Sequence, residues 1–119
     1  MNADVLTQRT KTYSITIGHF IESLASNVIN RNYSNQLVRC SSSVGANYRA
    51  ACRAKSTADF INKLKIVEEE LDETMFFLEL LSEFNKVKLN EIQFMLREGN
   101  EMLSIIVATI VSVRKRQLK

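Results

Sequence analysis

Apolar residues recur at alternating intervals of four and three through the middle of the chain, and this spacing constrains the fold more than any other feature. It forms two consecutive stripes, Leu37, Ser41, Val44, Tyr48, Ala51 and then Phe60, Leu64, Val67, Leu71, Thr74, Leu78, Leu81. Side chains at such intervals lie on one face of a helix and form the contact line of a left-handed bundle. A break at Lys55–Ser56 separates the stripes, so this segment predicts a helical hairpin.

The flanking segments continue the helical pattern, and little in the chain would interrupt it. The 119 residues include no proline and only three glycines, which disfavours an all-β fold because such folds need many turn residues. We therefore predict one all-α domain over residues 1–119, an antiparallel up-down-up-down, left-handed four-helix bundle. The predicted helices span about residues 4–29, 34–54, 57–84 and 89–116.

Polar residues between the apolar stripes set the predicted helix ends. Asn30–Asn32 is expected to form a turn after the first helix, with Ser34 as the N-cap of the second. Ser56, followed three residues later by Asp59, resembles a capping box. Gly18 lies inside the first predicted helix, where glycine costs about 1 kcal/mol against alanine. A close contact with another helix would explain that glycine.

The charges are distributed unevenly along the sequence. Residues 1–65 carry nine Lys or Arg against three Asp or Glu, whereas residues 66–119 carry seven against ten. The hairpin holds a candidate phosphate-binding set, Arg39, Arg49, Arg53, Lys55, Lys63 and Lys65. Arg49 and Arg53 have an alternative interpretation as partners of Glu69, Glu70 or Glu73 across the hairpin.

The basic segment 114–119 suits a helix C-terminus, where cations interact favourably with the helix dipole, and it is a further candidate for nucleic-acid contact. No catalytic constellation is visible elsewhere. His19 is the only histidine, and Thr16 occupies the position at which a di-iron Glu-x-x-His motif requires glutamate. Ser41–Ser43 lacks a histidine partner, and there is no nucleotide-binding glycine loop. The acidic run 68–73 reads as a solvated or salt-bridged helix face. We expect no enzyme activity, no metal site and no cofactor.

The third and fourth helices carry more apolar residues than one bundle can cover. Residues 102–113 are apolar nearly all round, yet this stretch is too short to span a membrane. We therefore predict self-association through a surface that includes Phe76, Phe77, Met102, Ile105, Val107 and Val111. The alternative is that a partner protein docks on exposed apolar surface formed by Phe76, Phe77 and Phe84.

The two cysteines, Cys40 and Cys52, lie on one predicted helix, roughly 18 Å apart along its axis. This separation is too large for a disulfide between them. We expect both to be buried, reduced thiols. Because the N-terminal segment is polar and has no apolar signal core, the sequence predicts a cytoplasmic protein without a membrane segment.

Residues Ser43–Ser56, with the sequence SVGANYRAACRAKS, are followed by Asp59-Phe60, Leu64–Ile66 and Leu71–Thr74. This order closely resembles the bacterial four-helix bundle proteins encoded in intervening sequences of the 23S rRNA gene, some of which are labelled ribosomal proteins. The resemblance covers about Tyr13 to Lys115. It implies a homopentamer with a basic surface that faces nucleic acid. In a related branch, the accessory protein of diversity-generating retroelements binds a reverse transcriptase and its RNA. Structured RNA and a partner protein such as a reverse transcriptase are therefore the implied partners.

Overall fold

The computed structural model describes residues 2–118, which form four long α-helices joined by short connections. They are α1 (Ala3–Glu22), α2 (Val28–Cys52), α3 (Thr57–Phe84) and α4 (Leu89–Gln117), and a 3₁₀ turn at Lys86–Lys88 precedes α4. Each helix packs against the next, and α4 also contacts α1. The predicted all-α four-helix bundle is confirmed. Met1 and Lys119, the last residue of the predicted basic segment, lie outside the described residues.

Three of the helices begin at a side-chain cap. Asn2 accepts a hydrogen bond from the Val5 N–H at 2.9 Å, and Ser56 accepts one from the Asp59 N–H at 3.0 Å. The Asp59 carboxylate in turn accepts from the Lys55 N–H at 3.2 Å. The box-like cap expected at the start of α3 is therefore present, and it fixes where the α2–α3 connection ends.

The predicted turn between the first two helices is wrong. Helix α1 ends at Glu22 rather than near residue 29, and α2 begins at Val28. Asn27, not Ser34, is the N-cap, and it accepts a hydrogen bond from the Asn30 N–H at 2.9 Å. Ser34 lies buried inside α2. A serine or asparagine can cap a helix or lie within it, so residue type alone does not decide between these positions.

Asn30 has a structural role that explains its place inside a helix. Its side chain is 3% exposed and exchanges two amide hydrogen bonds with Asn85, at 3.0 and 2.8 Å. Asn30 also donates to the Ala25 carbonyl, and Asn85 to the Leu81 carbonyl. These bonds tie the α1–α2 connection to the end of α3, so the two connections at this end of the bundle hold each other.

The interhelical contact line follows the expected spacing in the central hairpin. All five residues of the first stripe are buried, and in the second only Phe60 remains partly exposed. The same spacing predicts a contact line in α4 that includes Leu89, Leu96 and Leu103 and leaves Met95 and Met102 off it, and this prediction is partly wrong. Leu89 is 40% exposed, whereas Met95 and Met102 are buried. An α-helix has 3.6 residues per turn, so its buried face drifts away from a strict heptad over a long helix.

The glycines differ in how closely the helices approach them. A Cβ at Gly99 would lie 2.6 Å from the Tyr13 hydroxyl and 3.1 Å from Met75, so this position needs glycine. At Gly45 the nearest atom would be the Thr10 hydroxyl at 3.4 Å, which is ordinary contact. The close contact expected at Gly18 is absent, because no described atom lies within 4 Å of a Cβ built there.

Candidate nucleic-acid interface

The up-down topology brings three distant parts of the sequence to one end of the rod. Ala3 at the start of α1, Ala51, Cys52 and residues 54–57 around the α2–α3 connection, and Val113, Arg116 and Gln117 near the end of α4 border a common open cleft of about 770 Å³. The rod measures 52 × 21 × 20 Å. Charges on the central hairpin and in the C-terminal segment therefore share one end.

This end is strongly basic. Segments 2–12, 44–66 and 98–118 together contain ten Lys or Arg and four Asp or Glu. The remaining segments, 13–43 and 67–97, contain five Lys or Arg and nine Asp or Glu. We use the term basic end for the cations of the first group other than Arg9: Lys11, Arg49, Arg53, Lys55, Lys63, Lys65, Arg114, Lys115 and Arg116. The small net charge of +3 hides this separation.

Arg9 is excluded from the basic end because carboxylates hold it. Its guanidinium donates to both Glu98 carboxylate oxygens, at 2.9 and 2.6 Å, and lies 3.1 Å from Glu101. The hydrogen bonds from Arg9 hold the pKa of Glu98 below its usual range, and they raise the pKa of Arg9. This bidentate pair joins α1 to α4 and is structural. Nothing in the sequence pattern pointed to it.

Arg39, one of the predicted phosphate ligands, does not belong to the basic end. It is hydrogen-bonded to Glu73 and lies 3.5 Å from Glu70 on α3. Burial raises the pKa of Glu70, with repulsion from Glu73 adding to the rise and Arg39 opposing it. The pairing across the hairpin, which the sequence left open as an alternative for Arg49 and Arg53, is instead made by Arg39.

The antiparallel register explains this exchange. The α2–α3 connection begins after Cys52, so residues near it on α2 face the first turns of α3, which contain no glutamate. Within residues 2–118, no carboxylate lies within 4.0 Å of the charged groups of Arg49, Arg53, Lys55 or Lys63. Lys65 is 3.9 Å from Glu68, a distance at which an exposed pair contributes little.

The helix topology brings two further groups of cations to the basic end. Lys11 and Arg49 border the same groove between α1 and α2, so a cation that the sequence analysis did not single out joins a predicted one. Arg116 borders the end cleft together with Lys55. The candidate C-terminal cations and the hairpin cations therefore form one surface. The predicted antiparallel arrangement of four helices already implies that the hairpin cations and the C-terminal cations lie at the same end of the bundle.

The end cleft has an apolar lining beneath this charge. Ala51 and Val113 are buried at its base, and Tyr48 and Phe60 also border it. Burial raises the pKa of Tyr48 to about 12, and the neighbouring Cys52 adds to this rise. At neutral pH the phenol is therefore protonated and can donate a hydrogen bond.

The two cysteines differ in environment. Cys40 is buried, as expected, and burial raises the pKa of its thiol. Cys52 is exposed beside the end cleft, so the prediction that it is buried is wrong. Both thiols are free, in agreement with the expected separation along one helix. Cys52 occupies the last turn of α2, where a residue off the contact line faces solvent.

A second surface lies on α3, in its C-terminal half. Phe76 and Phe84 leave 53% and 56% of their surface exposed. Phe77 contacts Phe76 with ring centroids 5.4 Å apart, and Tyr33 of α2 lies 6.2 Å from Phe77 and 6.0 Å from Phe84. We call Tyr33, Phe76, Phe77 and Phe84 the aromatic patch. It lies far from the basic end, because α3 runs away from that end.

The predicted interface residues of α4 fall into different environments. Val107 and Val111 are 39% and 45% exposed, and Ile105 is partly buried against the core. Met102 is fully buried, so its side chain is not accessible to a second subunit, contrary to the sequence-based prediction. Flexible methionine fills gaps between helices, and here it takes a core position that leucine was expected to hold.

Residues 2–118 contain neither a metal-site cluster nor a membrane-spanning helix. No group of three or more His, Cys, Asp or Glu side chains there has the arrangement of a metal site. No helix in the same range combines the length and the apolar character that crossing a bilayer requires.

Comparisons with known proteins agree with this geometry. The family model described as 23S rRNA-intervening sequence protein matches residues 5–108. A solved structure of a protein of unknown function from the S23 ribosomal protein family of Bacteroides thetaiotaomicron is 29% identical in sequence. It superposes with a TM-score of 0.80, over 92% of this chain and 98% of the other. A search of curated proteins found no match.

Proposed function

The chain belongs to the 23S rRNA-intervening sequence protein family, and from this premise we propose that it is a non-enzymatic RNA-binding protein that uses its basic end. The observation that carries the proposal is the separation of charge along the rod, with ten cations against four carboxylates in the segments at one end. A surface of this kind concentrates positive potential where a polyanion can approach.

The distribution of free and paired cations supports the same ligand. Arg49, Arg53 and Lys55 are exposed and have no carboxylate partner among residues 2–118, so their charges remain available. Each phosphate that such a cation neutralises releases a counterion, and several acting together give substantial affinity without base-specific contacts. Structured RNA is the ligand class that the family resemblance implies.

Self-association is the second part of the proposal. Phe76 on α3 and Val107 and Val111 on α4 expose apolar surface, and Phe77 and Ile105 are partly buried against the core. A second copy that covers these side chains would remove them from water. A cyclic assembly repeats the same patch in every subunit and would also bring several basic ends together. The family resemblance implies a ring of five subunits. We place this assembly in the cytoplasm, because free thiols persist there.

The aromatic patch supports one alternative function, a scaffold for a partner protein. Its four rings lie within 6.2 Å of their neighbours and present a continuous apolar surface. Aromatic side chains are enriched at the centres of protein interfaces. Sedimentation separates the two uses of this surface. If the chain stays a 13.6 kDa monomer at micromolar concentration, the patch is free for another protein and self-association is refuted.

Fluorescence anisotropy with a labelled structured RNA tests the main proposal. The variant Arg49→Glu reverses one charge at the basic end, and Arg31→Glu reverses an exposed arginine on the same helix at the other end. We expect Arg49→Glu to weaken binding by about tenfold at low salt and Arg31→Glu to change it by less than about twofold. Equal effects of the two variants, or no binding by the unmodified protein at low salt, would overturn the proposal.

A further inference from the structure

The end cleft combines features that a surface for phosphates alone does not need. It has a volume of about 770 Å³, within the usual range for ligand clefts, and it is open to solvent. Its base is apolar, formed by Ala51 and Val113, and the Phe60 side chain borders it. A surface that only attracts a phosphate backbone has no use for an apolar recess with an aromatic wall.

Two cations border the end cleft. Lys55 and Arg116 both border the cleft, one from the α2–α3 connection and one from α4. The remaining cations of the basic end surround the same end of the rod. An occupant that matches this arrangement is anionic outside and flat and apolar inside. An unpaired nucleotide has this chemistry, since its base has a π-face and its phosphates are charged.

We propose that the end cleft receives one unpaired base of an RNA strand, which stacks beside Phe60 while Lys55 and Arg116 hold the flanking phosphates. The inference deepens the proposed function and rests on it, since the basic end must first bind the strand. Duplex RNA keeps its bases stacked inside the helix, so it would contact the same cations and leave the recess empty. The protein should therefore prefer an unpaired strand at equal phosphate number.

Cys52 provides a direct measure of cleft occupancy. It is exposed and borders the cleft, whereas Cys40, the only other cysteine, is buried and serves as an internal control. N-ethylmaleimide carries no charge, so the potential of the basic end does not bias its reaction. The alkylation rate of Cys52 is measured by mass spectrometry with the protein alone, with an unstructured strand of about 12 nucleotides, and with a duplex of the same sequence.

We expect a saturating unpaired strand to slow Cys52 alkylation by about tenfold and the duplex to slow it by less than about twofold. A free nucleoside monophosphate is a further sample, and it lacks the flanking phosphates of a strand. Slowed Cys52 alkylation with this mononucleotide alone would indicate a small-molecule site instead of a strand site. If anisotropy reports strand binding while Cys52 reacts at its free rate, or if the duplex protects equally, the cleft inference is wrong and RNA binding at the basic end stands. If no RNA binds, both proposals fail.

A matched pair of variants tests the aromatic wall. Phe60→Leu keeps an apolar side chain of similar size and removes the ring, and Phe94→Leu makes the same change at an exposed phenylalanine near the start of α4, at the opposite end of the bundle and outside the aromatic patch. We expect Phe60→Leu to weaken binding of the unpaired strand by about 5- to 50-fold and to leave duplex binding unchanged. Phe94→Leu should alter neither affinity. Equal strand affinity of both variants and the unmodified protein would exclude stacking at Phe60. Should Phe60→Leu unfold, the Cys52 measurement on the unmodified protein decides the question.

Discussion

The close contact at Gly99 predicts that Gly99→Ala destabilises the fold, and the size of this effect depends mainly on one oxygen atom. A Cβ at this position would lie 2.6 Å from the Tyr13 hydroxyl, which is buried and donates a hydrogen bond to the Met95 carbonyl at 3.1 Å. Tyr13 cannot retreat without losing this bond. In Gly99→Ala the phenol must therefore move, or the helices α1 and α4 must separate.

The magnitude follows from three contributions. Overpacking a filled core costs about 1–3 kcal/mol. A buried hydroxyl left without its partner costs a further 1–3 kcal/mol or so. Alanine in place of glycine inside a helix returns about 1 kcal/mol. We expect Gly99→Ala to lower the free energy of unfolding by about 1–5 kcal/mol. Gly18→Ala, with no described atom within 4 Å of the new Cβ, should raise it by up to about 1 kcal/mol.

A double-mutant cycle isolates the cause. Tyr13→Phe removes the oxygen that the new Cβ would strike, at the cost of one hydrogen bond. In this background Gly99→Ala should cost less than about 1 kcal/mol, since only the Met75 contact at 3.1 Å remains. Urea unfolding followed by circular dichroism at one fixed protein concentration measures all four proteins, because self-association would make stability concentration-dependent. The reasoning is refuted if Gly99→Ala is as stable as Gly18→Ala, or if Tyr13→Phe gives no relief.

The remaining predictions concern the polar contacts and the two exposed surfaces. The pKa of Glu98 is lowered by Arg9, so the pair stabilises the fold above the ordinary glutamate pKa near 4.5 and this contribution is lost as the pH falls below it; in Glu98→Gln, acid unfolding between about pH 5 and 3 should show a smaller loss. Asn30→Ala should cost about 2 kcal/mol in urea unfolding, because it leaves the Asn85 amide without its partner, and an unchanged midpoint would show that water replaces it. Phe76→Ser should shift sedimentation toward the monomer; at a concentration at which both proteins are monomeric it should leave the thermal midpoint unchanged, because Phe76 is half exposed, and a fall in that midpoint without a shift in mass would place it in the fold rather than the interface.

The central hairpin was predictable because its chemistry is local. The 4-3 spacing of Leu64, Val67 and Leu71 requires only that one face of a helix be buried, and all three are. The start of α3 was predictable for the same reason, since Ser56 and Asp59 are close in sequence. In the α1–α2 connection, by contrast, Asn30 stays helical because a residue 55 positions away completes its hydrogen bonds.

The candidate site shows the same division between local and long-range information. Arg49, Arg53 and Lys55 could be singled out from their clustering alone. That Arg39 pairs with α3 depends on the register of the hairpin, and that Arg116 joins Lys55 depends on four helices closing into one bundle. The charge pattern read along the sequence gave two halves of opposite sign. In the folded chain these charges form two ends of opposite sign, so cations from distant parts of the sequence lie together in space.

The salt dependence of RNA affinity tests most directly whether the basic end holds phosphates. The logarithm of the association constant is measured against the logarithm of salt concentration for the unmodified protein and for a variant with Arg49, Arg53 and Lys55 changed to serine. We predict a steep line for the unmodified protein and a slope smaller by about 2 for the variant, because three phosphate contacts on an unpaired strand are lost. Identical slopes for the two proteins would contradict RNA binding through this end of the bundle.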